Sequence, residues 1–118
     1  MAAERPDRRP PAGLVLRETE AGFQLWVTDL AQLKGWSWVH FRPARTEHGW
    51  RTPVEGDAAG WVDLMLCRPP RLIFAELKSE RGRLSADQEA WQHKLRACHA
   101  EVYIWRPADR PAIKVLLQ

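Results

Sequence analysis

The sequence predicts an α/β sandwich. Three observations carry this: an amphipathic stretch from about Glu18 to Gly35, two short apolar runs joined only by Arg68-Pro69-Pro70, and a second helical stretch followed at once by a further apolar run. Taken in order they read helix, strand, strand, strand, helix, strand, the alternation expected of helices packed on a mixed sheet.

Residues 1–13 are rich in Pro, Arg and Ala with almost nothing to bury, which predicts a flexible basic arm outside the fold. Its arginines suit phosphate, although a solvated tail has the same composition. Phe23, Trp26, Val27, Leu30 and Leu33 follow the three-and-four spacing of one helical face, ended by Gly35. Glu20 falls on that buried face in the first turn, where a carboxylate is also favoured simply by the helix dipole. Trp36 to Phe41 reads as a short strand and Arg42 to Gly60 as a long loop. The loop interleaves Arg42, Arg45 and Arg51 with His48 and Trp50, which suits phosphate contact and base stacking as well as it suits plain solvation.

Trp61–Cys67 and Arg71–Leu77 are the next two strands, and their tight connection predicts an antiparallel hairpin. Ser79 to Leu84 is a polar loop carrying Arg81 and Arg83. Ser85 caps a helix to about Ala97 with Trp91 and Leu95 inward, Ala100 to Trp105 is a strand, and Pro111 opens a short terminal helix.

The chain length of 118 residues bounds this to a single domain, 14–118, with one site. Two cysteines, Cys67 and Cys98, make no disulfide framework, and no signal-like stretch or run long enough to span a bilayer appears. We therefore expect a cytoplasmic protein without a membrane partner. Cys98, His99 and His93 lack the paired spacing of a zinc site. The net charge of +3 is compatible with a phosphate-bearing partner and does not require one.

Chemistry concentrates on the third strand. Its residues are apolar on both faces until Glu76 and Lys78, which share a face by the two-residue period. Burying either charge alone costs several kcal/mol, on the order of 3 to 5, so an ion pair or a metal must compensate. Asp63 is likewise the single charge in its own apolar run, and hairpin pairing carries it across from Glu76. Two carboxylates held together call for a cation, and hard oxygen donors favour Mg²⁺ or Mn²⁺. His40 and His48 are possible acid–base groups, with structural or surface roles equally open to them.

Asp63 followed by Glu76-Leu77-Lys78 resembles the D…ExK signature of the PD-(D/E)XK nucleases. Gly60-Trp61-Val62-Asp63-Leu64, Ala75-Glu76-Leu77-Lys78-Ser79, Leu84-Ser85 and Gln88, with Glu20, Gln24 and Gly35-Trp36 upstream, resemble the VRR-NUC branch, the virus-type replication and repair nucleases. The similarity spans about residues 18–117. It departs at Val62, where the family commonly has proline, a residue that supplies no ligand.

The resemblance implies a restriction-endonuclease-like αβββαβ core with a mixed central sheet flanked by helices. It implies Mg²⁺, with Mn²⁺ substituting, held by Asp63, Glu76 and the Leu77 carbonyl, and Glu20 as an additional acidic ligand or a water-mediated contact. Lys78 would orient or help deprotonate the attacking water, and Gln88 would support the lysine or a phosphate. Ser85-Ala86-Asp87-Gln88 is equally a capping box that needs no catalysis. The implied activity is structure-selective DNA endonuclease action in repair, recombination or phage replication, on DNA that is possibly branched, by a homodimer. Arg42, Arg45, Arg51, Arg81 and Arg83 would hold phosphates. A non-catalytic nucleic-acid-binding module with this fold and a restriction-type endonuclease are the alternatives.

Overall fold

Thr19 starts the first helix. Its Oγ1 accepts a hydrogen bond from Gly22 N at 2.9 Å, and Glu20 places a negative charge in the first turn, where the helix dipole favours it. The computed structural model describes residues 19–41, 44–46, 49–51 and 55–118. Residues 1–13, expected to form a basic arm, lie outside them.

Helix α1 spans Glu20–Leu33, and β1 follows at Ser37–His40. The buried stripe of α1 is narrower than its apolar pattern. Phe23, Val27 and Ala31 are fully buried at four-residue spacing, while Leu33 has rotated away from that stripe and is exposed. Glu20 falls on the stripe but one turn ahead of the core, so its side chain is open to solvent rather than buried.

The stretch expected as one long loop contains a small hairpin instead. Strands β2 (Ala44–Thr46) and β3 (Gly49–Arg51) pair antiparallel as a separate two-stranded sheet. The register sets Arg45 against Trp50, a pairing that short, non-alternating segments did not advertise.

The main sheet is built by β4 (Leu64–Arg68), β5 (Arg71–Leu77) and β6 (Glu101–Trp105), with α2 (Ala86–Ala97) crossing between β5 and β6. Its order is β1-β4-β5-β6; β4 runs antiparallel to both β1 and β5, and β6 lies parallel to β5. The protein is thus α/β with a mixed four-stranded sheet, an arrangement compatible with a restriction-endonuclease-like core. β4 begins at Leu64, so Asp63 stands one residue before the strand rather than inside it.

One sheet face carries Leu64, Leu66, Ile73, Ala75, Leu77 and Trp105, all buried beneath α1 and the terminal helix α3 (Arg110–Leu116). Burying each large aliphatic side chain here contributes about 1.5–3 kcal/mol. Trp36 ties the layer together: its indole N–H donates to the Leu117 carbonyl at 3.0 Å, and the Arg68 and Arg71 guanidiniums lie over its ring. The opposite face is covered by α2, whose fully inward residue is Gln92; Trp91 and Leu95, expected inward, are only partly buried. No described helix is long and apolar enough to cross a membrane.

Candidate functional site

The site is assembled where β5 ends. The last register pair between β4 and β5 is Leu64 with Ala75, so one further step sets Asp63 against Glu76. Asp63 Oδ2 accepts a hydrogen bond from Leu77 N at 2.8 Å, and the Asp63 carbonyl accepts from Phe41 N at 2.8 Å. Side chain and backbone of the aspartate are both pinned.

The approach to Asp63 is held by a glycine. Gly60 has φ of 78°, and a Cβ there would come within 2.4 Å of the Asp87 carbonyl carbon. The chain therefore lies directly on the first turn of α2, and only glycine fits the gap. This fixes the distance between the Asp63 segment and the helix that carries Gln88.

Glu76 is 1% exposed, the only acid buried to that degree among the described residues. Its Oε2 accepts a hydrogen bond from Gln88 Nε2 at 2.7 Å, and Lys78 Nζ stands 4.0 Å from the same oxygen. Oε1 is buried and receives no N–H or hydroxyl donor from the protein, and the Glu76 and Asp63 carboxyls lie close enough to share a proton. Burial first, and then the negative charge of Asp63, push the Glu76 carboxyl up to about 8. Asp63 is also raised by burial, with the Leu77 N–H and the charge of Lys78 acting against it. Glu20, at the mouth, is raised by partial burial and by Asp63, while Lys78 opposes.

Three carboxyl groups thus feel one another and one ammonium. The plain Glu76–Lys78 ion pair does not account for them: at 4.0 Å it is loose, and it leaves the second Glu76 oxygen without a donor and the Asp63 carboxyl still raised. A divalent cation fits these donors. A buried carboxylate oxygen without a donor, beside a second raised carboxyl, is what a hard, oxygen-seeking ion relieves. Among the described residues no three His, Cys, Asp or Glu side chains gather as a metal-binding group.

Gln88 fills the capping role expected of it, and its amide N–H goes to Glu76 rather than to Lys78. Its Oε1 accepts from Ser85 N at 2.9 Å while Ser85 Oγ accepts from Gln88 N at 3.1 Å, a complete capping box, and the remaining amide N–H reaches Glu76.

Lys78 continues the parallel pairing beyond β5, its backbone N–H donating to the Trp105 carbonyl at 2.9 Å. The polar loop turns over it. A Cβ on Gly82 would meet Ser79 Oγ at 3.0 Å and Lys78 Cδ at 3.4 Å, so the loop packs closely on the lysine stem. Arg106 Nη1 donates to the Ser79 carbonyl at 2.7 Å and to the Gly82 carbonyl at 2.6 Å, and Glu80 Oε1 accepts from Ala108 N at 2.9 Å. Arg81 and Arg83 are left exposed beside the acids. Arg42, His48 and the side chains of Arg45 and Arg51 lie outside the described residues.

His40 comes from the edge strand, and its charge lowers Asp63. It lines a cleft of about 360 Å³ between α1 and β1 with Gln24, Thr28 and Trp38. Two features escaped the sequence reading. Gln92 is buried with both amide atoms lacking a protein partner, one turn beyond Gln88. Trp61 meets three other rings, Phe41, Phe74 and Trp91, at centroid distances of 6.0, 5.7 and 4.8 Å. The two-residue period foretold that Trp61 accompanies Asp63 and Phe74 accompanies Glu76; no local signal named the rings arriving from β1 and α2. Comparison with protein-family models, with curated proteins and with solved structures found no match.

Proposed function

We propose that this protein is a divalent-metal-dependent nuclease of the PD-(D/E)XK kind, VRR-NUC type, hydrolysing phosphodiester bonds in DNA. One observation carries the reading: Asp63 and Glu76 converge at a buried strand end, with one Glu76 oxygen lacking a donor and the Lys78 ammonium 4.0 Å from the other.

Asp63, Glu76 and the Leu77 carbonyl would hold Mg²⁺ or Mn²⁺, and when bound the ion supplies charge to polarise a phosphate and acidify water. The remaining work belongs to the chain. Gln88 fixes one Glu76 oxygen and leaves the other, which has no donor in the protein, available to a cation. Lys78 orients the attacking water and offsets charge that grows on the phosphate oxygens, an effect strongest where water is excluded. Glu20 accepts a proton or a water-mediated contact at the mouth. Arg81 and Arg83 hold the DNA backbone, positioning it without touching the broken bond. The reading carries with it a cytoplasmic location and a homodimer, the latter tested by sedimentation.

The decisive experiment incubates labelled duplex, single-stranded, nicked, flapped and branched DNA with Mg²⁺, Mn²⁺ or chelator. Cleavage that requires the metal and disappears in Asp63→Ala, Glu76→Ala and Lys78→Ala is expected. Lys78→Ala should retain Mn²⁺ binding by calorimetry, since an ammonium cannot ligate a cation. Metal-independent binding without cleavage of any substrate would replace the nuclease with a binding module.

A further inference from the structure

A second cavity, of about 290 Å³, is lined by Phe41, Glu55, Asp57, Ala58, Trp61 and Trp91. Its walls are aromatic. Trp61 stands edge-on to Trp91 with ring planes at 84° and to Phe41 at 80°, so the rings form a corner rather than a closed stack. The Trp91 indole N–H donates to the Asp57 carbonyl at 3.1 Å, which orients that ring, and Lys94 Nζ lies 5.2 Å from its centroid.

The cavity and the acids share two elements. Trp61 precedes Asp63 by two residues, and Phe74, packed on Trp61 at 5.7 Å, precedes Glu76 by two. Phe74 and Glu76 both lie in β5, where two residues span about 6.8 Å, or two base-stacking steps of about 3.4 Å along a nucleic-acid strand. A nucleotide whose phosphate lies at Asp63 and Glu76 therefore has the reach to place a neighbouring base against these rings. Aromatic faces accept any base by stacking, and the carboxylates of Glu55 and Asp57 at the rim select among them. Carboxylates accept hydrogen bonds only, so they favour an edge rich in N–H groups: guanine offers N1–H and N2–H₂, whereas thymine offers a single N3–H. In a duplex that edge is occupied by the complementary base.

We infer that this cavity seats an unpaired nucleobase next to the scissile phosphate, with its N–H-bearing edge turned toward Glu55 and Asp57. The placement of the phosphate rests on the nuclease reading; the base seat itself requires no turnover. It makes the substrate class DNA with at least one unstacked, unpaired nucleotide beside the cut, guanine preferred.

The test is an abasic scan. Single-stranded oligonucleotides, each lacking one base at a successive position, are titrated by anisotropy in Ca²⁺, and the intact strand is cleaved in Mg²⁺ to locate the cut. Loss of one base adjacent to the cut is expected to weaken binding about tenfold, with other positions near neutral. In Trp91→Ala that position should lose its effect, and Trp91→Phe should restore most of it. Because Trp91 packs on Trp61, a Glu55→Ala, Asp57→Ala double variant at exposed positions serves as the second probe, and it should abolish guanine preference over thymine there. A flat scan, or a Trp91→Ala protein of native near-ultraviolet dichroism that scans like the wild type, overturns the base seat. So does tetramethylammonium that quenches tryptophan fluorescence at lower concentration than any mononucleotide, which would make the cavity a cation cage. Cleavage with a flat scan leaves the nuclease standing without the seat; a position-dependent scan without cleavage leaves the seat and removes the nuclease.

Discussion

Gln88 Nε2 donates to Glu76 Oε2 at 2.7 Å while Gln88 Oε1 accepts from Ser85 N at 2.9 Å, so one amide joins the cap of α2 to the buried acid of β5. The orientation of the glutamate and the start of the helix are a single hydrogen-bonded unit. Disturbing either disturbs the other.

Two substitutions separate these functions. Gln88→Ala loses the cap and the acid contact, and should lower stability by about 1 kcal/mol and cleavage at least tenfold. Ser85→Ala removes the side-chain cap alone and leaves the Gln88 N–H on Glu76, so it should share the loss of stability and keep most of the activity. Cleavage as low in Ser85→Ala as in Gln88→Ala would reduce Gln88 to a helix cap.

The raised Glu76 carboxyl sets a pH dependence for metal-free protein. Between its ordinary value of 4.5 and about 8, the native state keeps a proton that the unfolded chain has released. Unfolding free energy therefore falls as pH rises through that window. Melts in chelator should shift downward from about pH 5 to about pH 8.5, and Mg²⁺, which binds the ionised native acids, should flatten or reverse the trend. A chelated protein that becomes more stable across that range would contradict the buried pair.

At the other end of β5 the sign is opposite. Hydrogen bonding to Arg71 holds the Glu101 carboxyl below its usual range, and burial followed by Glu101 pushes the Tyr103 hydroxyl up to about 12. Stability from this group is present above the ordinary glutamate value and is lost as pH falls through the depressed one. The pair is about one-third exposed, with side chains at 34% and 29%, so Glu101→Gln should cost about 1 kcal/mol or less and flatten the acid limb of the stability curve. Cleavage by that variant should match wild type, because Glu101 lies in register with Ile73, three residues before the acid.

Gly60→Ala tests the seating of Asp63. The new Cβ meets the α2 backbone at 2.4 Å and must also adopt a positive φ, a conformation that costs a non-glycine residue on the order of 1–3 kcal/mol. The melting temperature should drop, and metal affinity should drop with it as the Asp63 segment is pushed off the helix. An Asp87→Gly change in the same chain should not rescue it, since the closest contact is backbone carbon.

Strand β5 was legible because its pattern is nearly absolute: apolar residues at every position from Leu72 to Ala75, then Glu76 and Lys78 on one face. The hairpin with β4 followed from its short connection, and Ser85 announced α2. What the pattern could not supply is what covers each face. Leu33 matches the helical spacing and is exposed, since the sheet runs under Phe23, Val27 and Ala31 and not under the last turn. Gln92 looks like a solvent residue and is buried, because α2 packs back on β6, a contact the polar pattern of the helix does not mark. The hairpin of β2 and β3 lacks the alternation that marks a half-buried strand. Asp63 and Glu76 were paired correctly by counting along a hairpin; Gln88 was read as a cap, which holds, and as a support for Lys78 or a phosphate, whereas its amide N–H goes to Glu76.

Arg106 binds the Ser79 and Gly82 carbonyls, and the loop that presents Arg81 and Arg83 is thereby bolted to the chain that follows β6. Freezing a loose residue costs about 1–2 kcal/mol of conformational entropy. Here that loss is incurred when the protein folds, before any polyanion arrives. If these guanidiniums hold phosphates as proposed, association need restrain only their side chains, and the loop would act as a rigid mount that discriminates by shape rather than as a basic tether that wraps whatever it meets.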